Sequence, residues 1–291
     1  SGPAGITAAI YAKRANLNVA VVEKEYLGTG QIADSSRVDN YPGIPGIDGY
    51  SLGEKFREHA ESLGVEFTEA QVLSLGQKDG IWIIGCDEDI TLESKAVIYA
   101  TGCKNRPLGV PGEEKYYGRG LSFCAVCDGA FYKGKRVAVI GGGDTALDDA
   151  MYLSDICEKV YLVHRREFFR GSASTLEKLK QKENVEIIVN ARVEEITGDK
   201  KIDGIILDNK TKLNISGLFA AVGMIPQTEL LKEFGVLDES NYIKASEDTK
   251  TTVNGLFAAG DVRTKQLRQV VTAAADGANA IYSVMEYLRN I

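Results

Sequence analysis

Val137-Ala138-Val139-Ile140-Gly141-Gly142-Gly143-Asp144-Thr145-Ala146 runs from an apolar stretch through a glycine turn into a helical pattern. Gly141, Gly143 and Ala146 have the G-x-G-x-x-A spacing. There the first glycine makes a tight turn, the second admits a pyrophosphate, and the small third residue lets helix and strand pack closely. The helical pattern continues to about Ser154, and Val160-Tyr161-Leu162-Val163-His164 reads as the next strand. The same grammar occurs at the start: Ser1-Gly2-Pro3-Ala4-Gly5, an amphipathic run to Asn16, then Val19-Ala20-Val21-Val22-Glu23. Gly2 and Gly5 take the second and third places of G-x-G-x-x-G. The first place falls before Ser1, so the expectation is that roughly one strand's length, about 5–6 residues or more, precedes this stretch. Two dinucleotide-binding units about 140 residues apart predict an α/β chain with two Rossmann-like domains. Pro107 to Pro111-Gly112 and Gly223-Met224-Ile225-Pro226 read as the two linkers where one domain is inserted into the other. A strand at Leu256–Ala259 and an Ala-rich amphipathic helix over Leu267–Leu288 close the sequence.

The composition bounds the function classes. With 291 residues, about two domains are expected. The formal charge of −7 argues against nucleic acid and gives no attraction to an anionic membrane surface. No apolar run approaches the roughly 18 residues of a membrane span, and no basic region precedes the apolar start as in a signal peptide. Five cysteines are too few for a secreted disulfide scaffold and point to a reducing cytoplasm. Two histidines, His59 and His164, nearly exclude His-rich zinc catalysis.

The two units differ in the charge that follows the glycine turn. In the first, Glu23 stands 21 positions after Gly2, where a carboxylate can accept hydrogen bonds from ribose hydroxyls. A glycine turn alone could merely tighten strand–helix packing; Glu23 favours a ligand. In the second, the corresponding strand ends in His164-Arg165-Arg166, with Arg170 four residues on. A carboxylate there would repel a 2′-phosphate, whereas guanidiniums clasp it, so the second site reads as selective for NADP over NAD. The alternative is a solvated basic turn. His164 reads as a shape and hydrogen-bonding residue rather than an acid–base catalyst.

Cys124-Ala125-Val126-Cys127-Asp128-Gly129 is the sharpest chemical signal. A lone C-x-x-C supplies two of the four ligands that structural zinc needs, with no histidine near it in sequence, and reads as a redox pair. If the pair opens a helix, the helix dipole stabilises the first thiolate. Cys86, Cys103 and Cys157 read as packing residues.

Together with Asn40-Tyr41-Pro42-Gly43, Ala100-Thr101-Gly102, Gly260-Asp261-Val262 and Arg268-Gln269, these motifs make the chain resemble the low-molecular-weight thioredoxin reductases along essentially its whole length. The resemblance implies FAD in the first site, held by Gly2, Ala4, Gly5, Glu23, Gly30, Gln31, Asn40, Thr101, Gly102, Gly260 and Asp261. Asp261 would bond the ribityl chain or phosphates. A helix beginning near Arg268-Gln269-Val270 would aim its positive end at the flavin pyrimidine. It implies NADPH in the second site, on Gly141, Gly143, Asp144, Thr145, Ala146, His164, Arg165, Arg166 and Arg170. H-R-R-x-x-F-R is the family's NADPH signature. It implies that Cys127 exchanges electrons with the flavin, that Cys124 attacks the partner's disulfide, and that Asp128 carries the proton; Asp128 as a mere helix cap is the alternative. Cys103 would lie near the flavin.

Residues 1–109 and 222–291 are then the FAD domain and 110–221 the NADPH domain carrying the cysteine pair. Disulfide and NADPH must both reach one flavin, which suggests rotation about the linkers. Thioredoxin or a similar small disulfide protein is the implied partner, and a homodimer the implied assembly. Reductases of another carrier, peroxidase-linked or glutaredoxin-like, and a non-enzymatic redox-sensing NADPH-binding module are the competing readings; a ferredoxin–NADP reductase has no use for the cysteine pair. The chain departs from the family at Gly28-Thr29-Gly30-Gln31, where Gly-Gly-Gln is usual, and at Cys103 and Gly171, where alanine is usual.

Overall fold

The computed structural model describes residues 1–26, 30–35 and 37–291; Gly28 and Thr29, at which one departure from the family pattern falls, lie outside the described residues. Six α-helices occur among the described residues: α1 Pro3–Arg14, α2 Gly49–Ser62, α3 Ala125–Asp128, α4 Asp144–Ser154, α5 Ala173–Lys180 and α6 Val270–Leu288. The chain divides into two compact units, one made of Ser1–Lys104 with Ile225–Ile291, the other of Asn105–Met224.

In the inserted unit, the quoted apolar stretch is the middle strand, Arg136–Gly141, of a five-stranded parallel sheet. The order across the sheet is Val185–Ile188, Lys159–Val163, Arg136–Gly141, Gly217–Ala221 and Leu121–Ser122. A strand covered on both faces must be apolar at every position rather than at alternate ones. Val137 and Val139 join a core formed with Ala146, Leu147, Ala150 and Leu153 of α4 and Leu179 of α5. Ala138 and Ile140 face the opposite way, into a core with Ile205, Leu207 and Leu213. Those three belong to an antiparallel sheet of Val193–Thr197, Gly204–Leu207 and Lys212–Asn214.

In the other unit, Ala20–Glu23 pairs in parallel with Glu66–Glu69, and Val97–Tyr99 with Leu256–Ala258. An antiparallel sheet of Val72–Lys78, Ile81–Cys86 and Thr91–Ser94 brings fully buried Trp82 into a core with Leu231, Ile243, Leu256 and Val262. α1 begins with Pro3 in its first turn, where the missing N–H costs nothing. It stops at Arg14, two residues before the expected end, because Asn16 adopts a left-handed φ of 58°. α1 lies against α6 through Ala4, Ala8, Ala12, Ala273, Ala280 and Ile281. The approach is so close that a Cβ on Gly277 would strike the Ala4 carbonyl and lie 2.8 Å from the Ala8 nitrogen. α6 itself starts at Val270 rather than Leu267, since Gln269 and Thr272 form a reciprocal capping box that fixes the first turn.

Candidate dinucleotide sites and redox centre

Four stretches distant in sequence meet in the first unit. Gly2 caps α1 with extended backbone, Ala4 is buried, and a Cβ on Gly5 would rest 3.6 Å from that of Ala100. Gly30 has φ +71°, and a Cβ there would lie 3.8 Å from the Gly2 Cα. Gln31 Nε2 donates to the Cys103 carbonyl, Asn40 Nδ2 to Gln269 Oε1 at 2.9 Å, and Thr101 Oγ1 to the Gln227 carbonyl at 2.7 Å. Gly102 is left-handed at φ 67°. Gly260 turns with φ +83° against Ala4, and Asp261 follows it. Cys103 Sγ donates to the Asp261 carbonyl at 2.9 Å, as does Arg268 Nε at 3.2 Å; the Arg268 guanidinium lies 4.2 Å from the Tyr242 ring centroid. Gln269 caps α6 and Val270 opens it. Burial pushes the Cys103 thiol up to about 11, so it stays protonated and can donate.

Two carboxylate oxygens of this network are unsatisfied. Glu23 is 5% exposed; its Oε1 accepts from Arg57, while Oε2 is buried with no partner. Asp261 Oδ1 is likewise buried without a partner, and burial pushes that carboxyl up, opposed by Lys265 and Arg268. A buried acceptor left unpaired costs about 1–3 kcal/mol. Both atoms therefore fit a ligand bearing hydroxyl donors at each place.

Sequence reasoning did not single out the support beneath this turn. Asp276 of α6, 4% exposed, accepts from the Gly260 N–H at 2.9 Å, from Arg263 Nε at 2.8 Å and Nη2 at 2.6 Å, and from Lys265 Nζ at 2.9 Å. The four groups come from two segments, and no local pattern marks them as partners.

In the second unit, the strand ends at Gly141, where a Cβ would strike the Ala221 carbonyl and stand 2.7 Å from that of Ala146. Around Gly143, by contrast, nothing lies within 4 Å of the Cβ position, leaving the helix N-terminus approachable. Asp144 and Thr145 are exposed in the first turn of α4, and Ala146 is fully buried. Asp144 Oδ1 accepts from the Ser172 N–H at 2.7 Å, and the Arg170 N–H donates to the Gly142 carbonyl at 2.7 Å, so the basic loop is clipped to the glycine turn. His164 is buried under Gly142; its Nε2 bonds the Phe168 carbonyl at 3.2 Å and its ring centroid is 4.9 Å from that of Phe169. Burial, joined by Arg165, Arg166 and Arg170, holds it below the usual histidine range, against the bond to Phe168. The side chains of Arg165, Arg166 and Arg170 are exposed and make no ion pair among the described residues.

The same unit holds a disulfide between Cys124 and Cys127, with Cα atoms 5.3 Å apart. Cys124 is the N-cap of α3, a single turn, and its Sγ accepts from the Cys127 N–H at 3.2 Å. The Ser122 hydroxyl donates to Asp128 Oδ2 at 2.6 Å, and its oxygen accepts from the Cys124 N–H at 3.1 Å. Ser122 thus ties the first cysteine to the carboxyl, a role with no sequence signal beyond its position two residues before the pair. Burial raises the Asp128 carboxyl, with the Ser122 bond acting the other way.

A pair of cysteines joined in a half-buried turn, in the same unit as a glycine turn with exposed guanidiniums, suits electron exchange with a nicotinamide nucleotide. The comparisons with known proteins agree. Thioredoxin reductase of Bacillus subtilis (strain 168) is 38% identical over 299 residues, covering 100% of this chain and 93% of that protein. A 34.2 kDa protein in the rubredoxin operon of Clostridium pasteurianum is 38% identical over 296 residues, covering 99% and 95%. The crystal structure of thioredoxin reductase from Streptococcus pyogenes MGAS5005 superposes with a TM-score of 0.93 at 39% identity, over 100% of this chain and 96% of that one. The family pattern of the pyridine nucleotide-disulphide oxidoreductases matches residues 1–277, and with two glycine turns and a disulfide placed as above the chain belongs to that family.

Proposed function

We propose that the chain is a thioredoxin-disulfide reductase: NADPH and the disulfide of thioredoxin become NADP⁺ and the thioredoxin dithiol, with one proton taken up. The single observation that carries this reading is the Cys124–Cys127 disulfide held beside the half-buried Asp128 carboxyl. FAD, when bound, supplies the chemistry that passes an electron pair from a nicotinamide to a disulfide. Glu23, through its unpartnered oxygen, holds the adenosine ribose, and Asp261 the chain leading to the flavin. Gly2, Ala4 and Gly5 shape the approach for its pyrophosphate. Gly30, Gln31, Asn40, Thr101, Gly102, Gly260, Arg268, Gln269 and Val270 line the rest. The unit of residues 105–224 binds NADPH: Gly141, Gly143, Asp144, Thr145 and Ala146 present the turn and helix N-terminus, and Arg165, Arg166 and Arg170 take the 2′-phosphate over a floor set by His164.

Cys127 receives the electron pair and Cys124 leaves as a thiol. Asp128, raised by burial, holds the proton that Cys124 takes and later recovers it when the Cys124 thiolate attacks the partner's disulfide. Cys127 resolves the mixed disulfide, reforming the Cys124–Cys127 bond. A homodimer in the cytoplasm goes with this reading; Cys86, Cys103 and Cys157 are free thiols, as a reducing compartment would keep them, and no helix is long and apolar enough to cross a membrane among the described residues. The test is NADPH oxidation by the purified protein with and without thioredoxin, repeated with NADH. Thioredoxin-dependent consumption of NADPH, much weaker with NADH, is expected. Flavin bleaching that thioredoxin does not accelerate would replace thioredoxin with another disulfide carrier.

A further inference from the structure

The Glu23 carboxylate is divided between two tasks. Oε1 is taken by Arg57 Nη1, and Oε2 is buried and unpartnered. Arg57 reaches in from α2 and is 7% exposed. Its guanidinium carbon stands 4.0 Å from the Phe67 ring centroid and 4.5 Å from that of Tyr26, and its Nε donates to Glu61 Oε1 at 2.7 Å. Two aromatic contacts and a second carboxylate therefore fix the guanidinium plane before Glu23 meets it. A lysine could supply the charge but neither the flat stacking surface nor the paired donors.

Resting on the assignment of FAD to this unit, we propose that Arg57 is a positioning residue for the dinucleotide: it occupies Oε1, fixes the orientation of the buried carboxylate, and presents Oε2 as the one oxygen offered to the adenosine ribose hydroxyls. Without Arg57, Oε1 of Glu23 loses its guanidinium donor and is left beside an Oε2 that is already buried and unpartnered. A carboxylate freed from that bond can turn about its side-chain torsions and no longer presents one fixed oxygen to the ribose. The discrimination for a ribose bearing its hydroxyls thus depends on a side chain that does not touch the ligand.

The test uses apoprotein of the full chain titrated with two probes, FAD and an FAD analogue whose adenosine ribose lacks its 2′- and 3′-hydroxyls, followed by flavin fluorescence. The unaltered protein should bind FAD more tightly than the analogue. Arg57→Met should weaken FAD by about 10- to 100-fold, the range for losing a hydrogen bond to a charged group, and leave the analogue nearly unchanged, so that the two affinities converge. Arg57→Lys should recover only part of the difference. In a Glu23→Gln background, Arg57→Met should cause no further change in the ratio of the two affinities. The retained affinity for the analogue reports that the altered unit is folded, and NADP⁺ binding, which belongs to the other unit, should persist throughout. If Arg57→Met weakens FAD and the analogue equally, the residue is merely structural and the proposal falls while the FAD assignment stands. If the unaltered protein binds both probes equally well, the ribose is not held at Glu23 and the proposal falls; if it binds neither, the FAD assignment falls with it.

Discussion

Replacing Asp276 with alanine should unfold the unit of Ser1–Lys104 and Ile225–Ile291 at a markedly lower temperature. The side chain is 4% exposed and accepts four hydrogen bonds, three of them from Arg263 and Lys265. Arg263 keeps bonds to the Ala245 and Thr264 carbonyls, so the variant retains buried cations that have lost their counter-charge. Breaking a buried ion pair from one side costs about 3–5 kcal/mol. For a unit of roughly 170 residues, each kcal/mol moves Tm by about 2–4 °C, so a fall of roughly 6–20 °C is expected by calorimetry. Burial alone would raise the Asp276 carboxyl, but the bonds from Arg263 and Lys265 hold it below its ordinary value. Its folded-state pKa is therefore below the unfolded one. The stabilisation is complete above about pH 4 and is lost as pH falls through the lower, folded value. The gap between the two proteins should accordingly narrow in acid. A loss under about 1 kcal/mol at pH 7, or a gap that widens in acid, would refute the reasoning.

Burial raises Asp149 to about 7, with Asp148 adding repulsion, so its ionisation opposes folding increasingly from about pH 4 to pH 7. Asp149→Asn should raise Tm at pH 8 and change it little at pH 4; equal effects at both would count against burial as the cause. Gly142→Ala forces a methyl into the His164 ring and should destabilise the inserted unit by about 1–3 kcal/mol, measurable by urea unfolding. His164→Ala in the same chain should return part of that loss, and no recovery would mean the clash lies elsewhere. Asp128→Asn should leave NADPH-dependent flavin bleaching intact while slowing reduction of thioredoxin in rapid-mixing experiments. Undiminished turnover across pH would remove Asp128 from the proton path.

The parallel sheet of the inserted unit was legible because doubly covered strands must be apolar throughout, as Val137–Ile140 are, and because the glycines mark where each strand turns into a helix. Helix ends were less so. Leu267 and Arg268 suit a helix by composition, but the reciprocal cap between Gln269 and Thr272 defers it to Val270. Contacts that depend on three-dimensional closure had no linear trace. Nothing in the sequence joins Arg57 to Glu23, 34 positions away, or Gln31 to Cys103, 72 positions away. Cys103 itself stands out only as a departure from alanine; its thiol donating to the Asp261 carbonyl depends on the Gly260 turn being brought alongside. Ionisable pairs within one buried knot, such as Asp276 with Arg263 and Lys265, look like ordinary surface charge until burial is known.

The pairing of Val97–Tyr99 with Leu256–Ala258 has a consequence for how the protein is made. A ribosome delivers the first strand early and its neighbour only after the whole of Asn105–Met224 has been synthesised. At about 5–20 residues per second, the 156 residues between Tyr99 and Leu256 take about 8–31 s. The inserted unit, whose parallel strands all lie within its own stretch, can close during that interval. The outer unit meanwhile carries an open strand edge and an α1 face of alanines awaiting α6. Nascent chains stalled before residue 256 should therefore be the species that chaperones engage and proteases cut within residues 1–104.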